Sequence, residues 1–540
     1  IYSSMPFAIY NSPTGYTCSS QYSYVRANEA PNGDVAADSE ISVISHETSE
    51  AITDPDGTAW SDRTGNENGD DCSFVYGDTN AFGGTAGSYY DQTINGAHYF
   101  VQAEFSNEDF AASPSTACVL REVAPYHPLT PYRICDTRAS AGFTCARQTP
   151  GAGFNSETLQ LRVNGTAPPG QLSGGVPSDG VSAAVLNVTV VNPTQAGYLT
   201  IYPAGGTQPL AANVNFVPGE VVPNLVTVAV PASGLVSIFN SAGATDVVVD
   251  VQGYYGHAAN TAGLFNPVAP YRACDTRPAP PSGVTDACTG ASLVAGTASQ
   301  TLQVQVGGTN PPGQVGGGVP SRGVSAVVLN VTVVKPTKGG YLTVYPSGVA
   351  RPLAANLNFV PGEVVPNRVV VPVSAAGQIS VYNSAGSADV VIDVNGWFTD
   401  ATTATGYRYV AASPTRICDT RTTSRSGITD TCTGQTLGST NTTTANDEVL
   451  KVTAGGMSGI PANAQALVVN LTAVSPSDPG YVTAYPDGLA TAPTAADLNF
   501  VPGEVVPNLS VVQLSAAGAL DVFNYAGTVD LVADAQGWYQ

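Results

Sequence analysis

One passage recurs three times along this chain, about 140 residues apart. It opens at Leu186-Asn-Val-Thr, Leu329-Asn-Val-Thr and Val469-Asn-Leu-Thr, and a Gly-Tyr-x-Thr-x-Tyr-Pro step follows at Tyr198, Tyr341 and Tyr481. Next come Asn215-Phe-Val-Pro-Gly-Glu-Val-Val-Pro-Asn and its copies from Asn358 and Asn499. Each passage closes on Gly-aromatic-aromatic, at Tyr254-Tyr255, Trp397-Phe398 and Trp538-Tyr539. The period is far longer than a solenoid unit and suits a self-contained domain. Most of the chain is one module used three times, so any chemistry unique to this protein belongs to the residues before it.

The module reads as strands. Residues 183–191, 198–202, 221–230, 234–240 and 246–251 are rich in Val, Ile and Thr and are separated by turns bearing Pro, Gly or Asn. No helical period runs through them, which predicts an antiparallel β-sandwich for each copy. Asn240-Ser-Ala-Gly243, Asn383-Ser-Ala-Gly386 and Asn524-Tyr-Ala-Gly527 read as hairpin turns. The expected organisation is a small α/β domain over 1–120, then sandwiches over 121–258, 259–401 and 402–540.

Charge and cysteine usage narrow the setting. Of 41 acidic and 19 basic residues, 17 acidic and two basic ones lie within 1–120, a net of −15 there and −7 in the rest. A chain this acidic lacks the basic surface that nucleic acid requires, whereas dense carboxylates suit cations. Cys135 with Cys145, Cys274 with Cys288, and Cys418 with Cys432 occupy a repeated place away from any histidine, which predicts three disulfides and an oxidising, extracellular compartment. Cys18, Cys72 and Cys118 leave one odd cysteine, either free or paired with a segment upstream of Ile1. No apolar run approaches the ~20 residues that span a bilayer. A secreted or cell-surface location follows.

Polar residues recur in register too. Arg133, Arg272 and Arg416 precede the first cysteine of each module; Asp136-Thr-Arg138, Asp275-Thr-Arg277 and Asp419-Thr-Arg421 contain its successors; Asp250, Asp393 and Asp534 precede the closing aromatics. Mutual Arg–Asp pairing that fixes the ends of the module is the leading expectation. The closing aromatics offer a second one, a platform that stacks on a sugar.

The first domain holds the one constellation with chemistry in it. His46 and Glu50 lie four apart in Ser45-His46-Glu47-Thr-Ser-Glu50 and share a face if 42–53 is a helix, as two metal ligands must. Pro55 ends that helix near Asp54. Glu47 stands where a general base for an activated water belongs. His98, in Asn95-Gly-Ala-His98, is a further ligand or donor candidate. The aspartates at 54, 56, 62, 70 and 71 make calcium the alternative to zinc.

Three resemblances extend this reading. The order His46-Glu47-x-x-Glu50, Glu67, Asp71 is similar to the gluzincin metallopeptidases, which implies His46, Glu50 and Glu67 as zinc ligands, Glu47 as base and Asp71 as a partner that orients His46. Glu50 stands where that family has its second histidine, and the resulting anionic set also admits harder metals. Ser45-His46-Glu47, Glu50, Thr53-Asp54-Pro55, Trp60, Gly65-Asn-Glu67, Asp70-Asp71-Cys72 and Gln102-Ala-Glu104-Phe105-Ser106-Asn107 more closely resemble the Exordium-like, phosphate-induced family, over about residues 10–118. That implies an extracellular, protease-like domain. Residues ~128–540 resemble a repeat of exported actinobacterial proteins that carries Arg-x-x-Asp-Thr-Arg, Leu-Asn-Val-Thr and a closing Gly-Tyr-Tyr, which implies an accessory or adhesive module.

Two functions stay open on the sequence. One is a secreted metal-dependent hydrolase, peptidase-like by its pattern, that its repeats carry to a surface polysaccharide or protein. The other is a non-catalytic surface or matrix protein that adheres or self-associates, its HExxE domain structural or inactive.

Overall fold

A computed structural model describes residues 123–540, apart from short stretches of which 146–157, 423–431 and 439–447 are the longest. Before residue 123 it describes only six short strands between Asn80 and Val119. The chain divides into two compact units, one made mainly of Ile1–Glu122 and the other of Val123–Gly256 with Thr261–Gln540.

In the first unit the described segments are all strands: Asn80–Ala81 with Tyr89–Tyr90, Gln92–Ile94 with Ala97–Tyr99, and Glu104–Phe105 with Cys118–Val119. No α-helix occurs among the described residues, and the expectation of an α/β domain is corrected to a nearly all-β chain. The helix expected over 42–53 lies outside the described residues.

In the second unit each repeat contributes two antiparallel sheets. In repeat 1 the first sheet has the order Val221–Ala229, Val181–Val191, Asp246–Gly256, Tyr126–Asp136. The second has the order Val214–Phe216, Gly197–Pro203, Leu235–Asn240, Thr158–Arg162. Repeats 2 and 3 reproduce both orders. The strands expected from the sequence are present, and the chain crosses repeatedly between the two sheets.

The reading as three β-sandwiches is corrected. Six sheets, two per repeat, are set in a six-bladed, propeller-like arrangement around a core common to all three repeats. The reason lies in the strand Val181–Val191, which is almost wholly buried along its length. Its Leu186, Val188 and Val190 face the core of their own repeat, while Ala183 and Val185 enter the shared core. In an isolated sandwich one face of that strand would meet water; a strand buried on both faces needs a cover on each. The shared core takes equivalent residues from every repeat: Val185, Val328 and Val468, then Tyr255, Phe398 and Tyr539.

Aromatic stacking follows the same cyclic rule. Tyr126 of repeat 1 packs on Phe398 of repeat 2 (4.4 Å between ring centroids), Phe265 of repeat 2 on Tyr539 of repeat 3 (4.2 Å), and Tyr409 of repeat 3 on Tyr255 of repeat 1 (4.2 Å). The glycine that precedes the closing aromatics is explained by this contact: a Cβ on Gly253, Gly396 or Gly537 would lie 2.2–2.4 Å from Tyr126, Phe265 or Tyr409. The main chain closes the ring as well, because Val123–Ala124 pairs with Tyr409–Val410 of repeat 3.

Candidate functional site

Of the residues expected to carry metal chemistry, His46, Glu47, Glu50, Glu67 and Asp71 lie outside the described residues. His98 lies on the strand Ala97–Tyr99, opposite Thr93. Among the described residues, the grouping of metal-binding type is Cys274, Asp286 and Cys288. Its two sulfurs are joined in a disulfide and offer no thiolate, the form that binds metal.

The three expected disulfides are present: Cys135–Cys145, Cys274–Cys288 and Cys418–Cys432. Beside each, the recurrent arginine and aspartates pair with one another. Arg133 Nε and Nη2 donate to the two carboxylate oxygens of Asp250 at 2.8 and 3.3 Å, and the same fork joins Arg272 to Asp393 and Arg416 to Asp534. Asp136 accepts from Arg138 Nε at 2.8 Å. Burial alone would push the Asp136 carboxyl up, but the Arg138 hydrogen bonds and charge outweigh it and hold it below the ordinary value; Asp275 and Asp419 behave alike. For Asp250 and Asp534, which are more deeply buried, desolvation wins over the arginine and the carboxyl is raised.

These pairs also join repeats. Asp250 Oδ2 accepts from Ala355 N of repeat 2 and Asp393 Oδ2 from Ala496 N of repeat 3, each at 2.9 Å. An asparagine ring lies beside them. Asn187 Nδ2 donates to Ala355 O (2.6 Å), Asn330 Nδ2 to Ala496 O, and Asn470 Nδ2 to Ala212 O (2.7 Å). The Asn of Leu-Asn-Val-Thr thus ties every repeat to the next. These buried groups are spoken for inside the protein, as buried polar groups must be.

The sugar platform is corrected. Trp397 and Trp538 are 8% and 2% exposed and belong to the cores of their own repeats, and the aromatic after each is buried in the shared core. Tyr254 is half-buried and stacks on His127 at 4.6 Å. The buried rings of Tyr255, Trp397, Phe398, Trp538 and Tyr539 offer no open face to a sugar.

A cluster at the junction of repeats 2 and 3 was not anticipated. Arg368, wholly buried, stands where repeats 1 and 3 have Leu225 and Leu509. Its guanidinium binds Asp497, Ser510 Oγ (3.1 Å) and Leu509 O (3.0 Å) of repeat 3, and Asn395 of its own repeat. Burial lowers its pKa, and the charge of Asp497 opposes that shift. A signal was legible: the charges at 368 and 497 enter together, each in one repeat only.

A second unanticipated feature lies at one end of the ring axis. Val221–Ala229, Val364–Pro372 and Val505–Gln513 pack against one another there. The turn before each is Val-Pro-Gly-Glu, with Gly219, Gly362 and Gly503 at φ +81°, +85° and +79°, the left-handed conformation that glycine supplies in a turn. Glu220, Glu363 and Glu504 accept from the backbone N of Val217, Val360 and Val501 at 2.9, 2.8 and 2.9 Å. Desolvation raises the carboxyls of Glu363 and Glu504, and the neighbouring glutamates add to the shift.

Residues 11–108 match the family model of the phosphate-induced protein 1 conserved region. This supports the resemblance of the first region and bears on no other part of the chain. No curated protein matches. Among solved structures, a triple jelly-roll protein of an archaeal virus turret shares 6% identity over 80% of this chain and 93% of its own, with a TM-score of 0.15. The CBM22-1–CBM22-2 tandem of Xyn10C from Paenibacillus barcinonensis shares 12% over 50% and 100% (TM-score 0.15), and the major capsid protein P2 of bacteriophage PM2 shares 8% over 50% and 97% (TM-score 0.13). Scores this low assign no fold.

Proposed function

We propose that this is an extracellular scaffold in which the three repeats form a closed, non-catalytic carrier for the N-terminal domain. One observation carries the reading: the recurrent Arg and Asp side chains pair within each repeat, and the recurrent Asp and Asn side chains bind the backbone of the next repeat. An active site needs groups left free for a substrate, and these are consumed in closing the ring. The three disulfides suit an oxidising compartment, and among the described residues no helix is long and apolar enough to cross a membrane.

A second reading is favoured by the match over residues 11–108 together with the His46-Glu47-x-x-Glu50 pattern. In it the first domain is a metal-dependent hydrolase of peptidase type. His46, Glu50 and Glu67 would hold zinc, which would supply a Lewis acid; Glu47 would take the proton of the attacking water, and Asp71 would orient His46. One histidine with two carboxylates accepts zinc and also harder cations such as calcium.

Metal analysis joined to a peptide-hydrolysis assay on the full chain separates the readings. The scaffold predicts no turnover in the wild type or in Glu47→Gln. Zinc lost in His46→Ala, with turnover abolished in Glu47→Gln while metal is retained, would establish the enzyme.

A further inference from the structure

The end of the axis formed by the Val-Pro-Gly-Glu turns is built differently from the rest of the ring. Side chains alternate between two cores along the three strands that meet there. Val222, Val365 and Val506 pack on the cores of their own repeats, while Leu225, Val370, Leu509 and Val511 enter the shared core. By that alternation Val221, Val364 and Val505, with Pro223, Pro366 and Pro507 behind them, face the axis. The prolines are buried; Val364 and Val505 are 39% and 45% exposed, and Val221 is half-buried. They line an apolar mouth. Around it stand Val217, Val360 and Val501, each about half exposed, and the exposed Glu220, Glu363 and Glu504.

Two features of this mouth call for a partner. Apolar side chains exposed in threefold register form a patch, where scattered single ones would need no explanation. Among the described residues no Arg or Lys pairs with any of the three glutamates, although the recurrent aspartates beside the disulfides and before the closing aromatics are paired with arginine. Each glutamate spends one carboxylate oxygen on its own turn and keeps the other. A second copy of the chain is a poor occupant, because the net charge is −22 and two such rims would oppose six carboxylates.

We propose that this mouth docks a basic, apolar-tipped segment of a partner protein. An apolar side chain of the segment seats against Val221, Val364 and Val505, and its flanking Lys or Arg residues meet Glu220, Glu363 and Glu504. Anionic rim and apolar floor match such a segment at both levels, charge setting its approach and the valines its hold.

Fluorescence polarisation on the full chain tests this with three labelled peptides: Lys-Arg-Leu-Lys-Arg, Lys-Arg-Ser-Lys-Arg and Glu-Asp-Leu-Glu-Asp. The first is expected to bind, the second about tenfold more weakly, and the third not at all. The triple variant E220Q/E363Q/E504Q should weaken the first by about tenfold or more and flatten its salt dependence. V217S/V360S/V501S should weaken it and leave the salt dependence in place. These residues are exposed, and an unchanged unfolding midpoint confirms that the variants fold. No binding of the first peptide, equal binding of all three, or binding unchanged in the glutamine variant would overturn the proposal. Displacement of the peptide by millimolar calcium, with no loss in the serine variant, would identify a cation site instead and overturn it too. So would self-association of the chain that these substitutions abolish.

Discussion

The junction of repeats 1 and 2 and the junction of repeats 2 and 3 share one backbone design and solve it with different chemistry. At the first, the places concerned hold Leu225 and Gln252 in repeat 1 and Asn356 and Val369 in repeat 2, and Gln252 Oε1 accepts from Val370 N at 2.8 Å. At the second, the same four places hold Arg368, Asn395, Asp497 and Ser510. Asn395 is one methylene shorter than glutamine, and its carbonyl turns to Arg368. Asp497 keeps the task of the asparagine it replaces, since its Oδ2 accepts from Ala484 N at 2.8 Å as Asn356 Oδ1 accepts from Val344 N at 2.7 Å. Its other oxygen is thereby free for the guanidinium. Four coupled changes place a buried ion pair where the first junction has uncharged residues, and the bond from the Ala484 amide to residue 497 is kept. A buried ion pair is weak evidence for stability, because desolvation offsets most of its attraction. What it adds is a mark: only repeat 3 answers repeat 2, so three near-identical modules have one favoured cyclic order.

The largest expected effect breaks that mark from one side. Arg368→Leu leaves Asp497 buried without its cation and should cost about 3–5 kcal/mol, read from the denaturant midpoint. A cost no larger than that of an ordinary surface change would show that Asp497 has other relief. Next comes the repeat 2 disulfide. Cys274→Ser with Cys288→Ser opens a link between residues 14 apart and should cost about 2–4 kcal/mol. Smaller again is the complete exchange. R368L/N395Q/D497N/S510V rebuilds the first junction at the second and should unfold within about 1 kcal/mol of the wild type, or above it. A loss as large as that of Arg368→Leu alone would mean that the ionic set is needed for more than order.

The smallest effect concerns acid. Asp136, Asp275 and Asp419 have folded pKa values below the ordinary one, so the stability they contribute is present above about pH 4 and is lost as pH falls through the folded values. Asp250 and Asp534 are raised, so their contribution has the opposite sign: it is present at low pH and lost as pH rises through their folded values. Urea midpoints should therefore not fall between pH 7 and 5 and should drop only below about pH 4. Asp136→Asn should shallow that drop. A steep loss already at pH 6 would contradict the assignment.

Much of the ring was legible in the sequence because its repeats restate every local rule three times. The strands around Leu186, Tyr198 and Val247, the turn at Asn240 and the three cysteine pairs follow from β-branched runs, turn residues and spacing. The Arg133–Asp250 pairing follows from complementary charges in fixed register. What did not follow was how repeats meet. Ala183 and Val185 look the same in a strand whether a second face is covered by solvent or by another repeat. The closing aromatics resemble a platform in sequence because burial is a property of neighbours that the local sequence does not name. For Arg368, comparing the three copies position by position would have exposed the paired charges at 368 and 497. The mouth of the axis lay inside a quoted motif, but only the closed ring brings Glu220, Glu363 and Glu504 together.

The central claim is that the three repeats hold one another closed. Hydrogen exchange read by mass spectrometry on the full chain, wild type against Arg368→Leu, tests it most directly. If the ring is one cooperative unit, protection should fall in all three repeats together, including the strand Val181–Val191 of repeat 1, which makes no contact with Arg368 among its hydrogen bonds. Loss confined to repeats 2 and 3, with repeat 1 as protected as before, would contradict it.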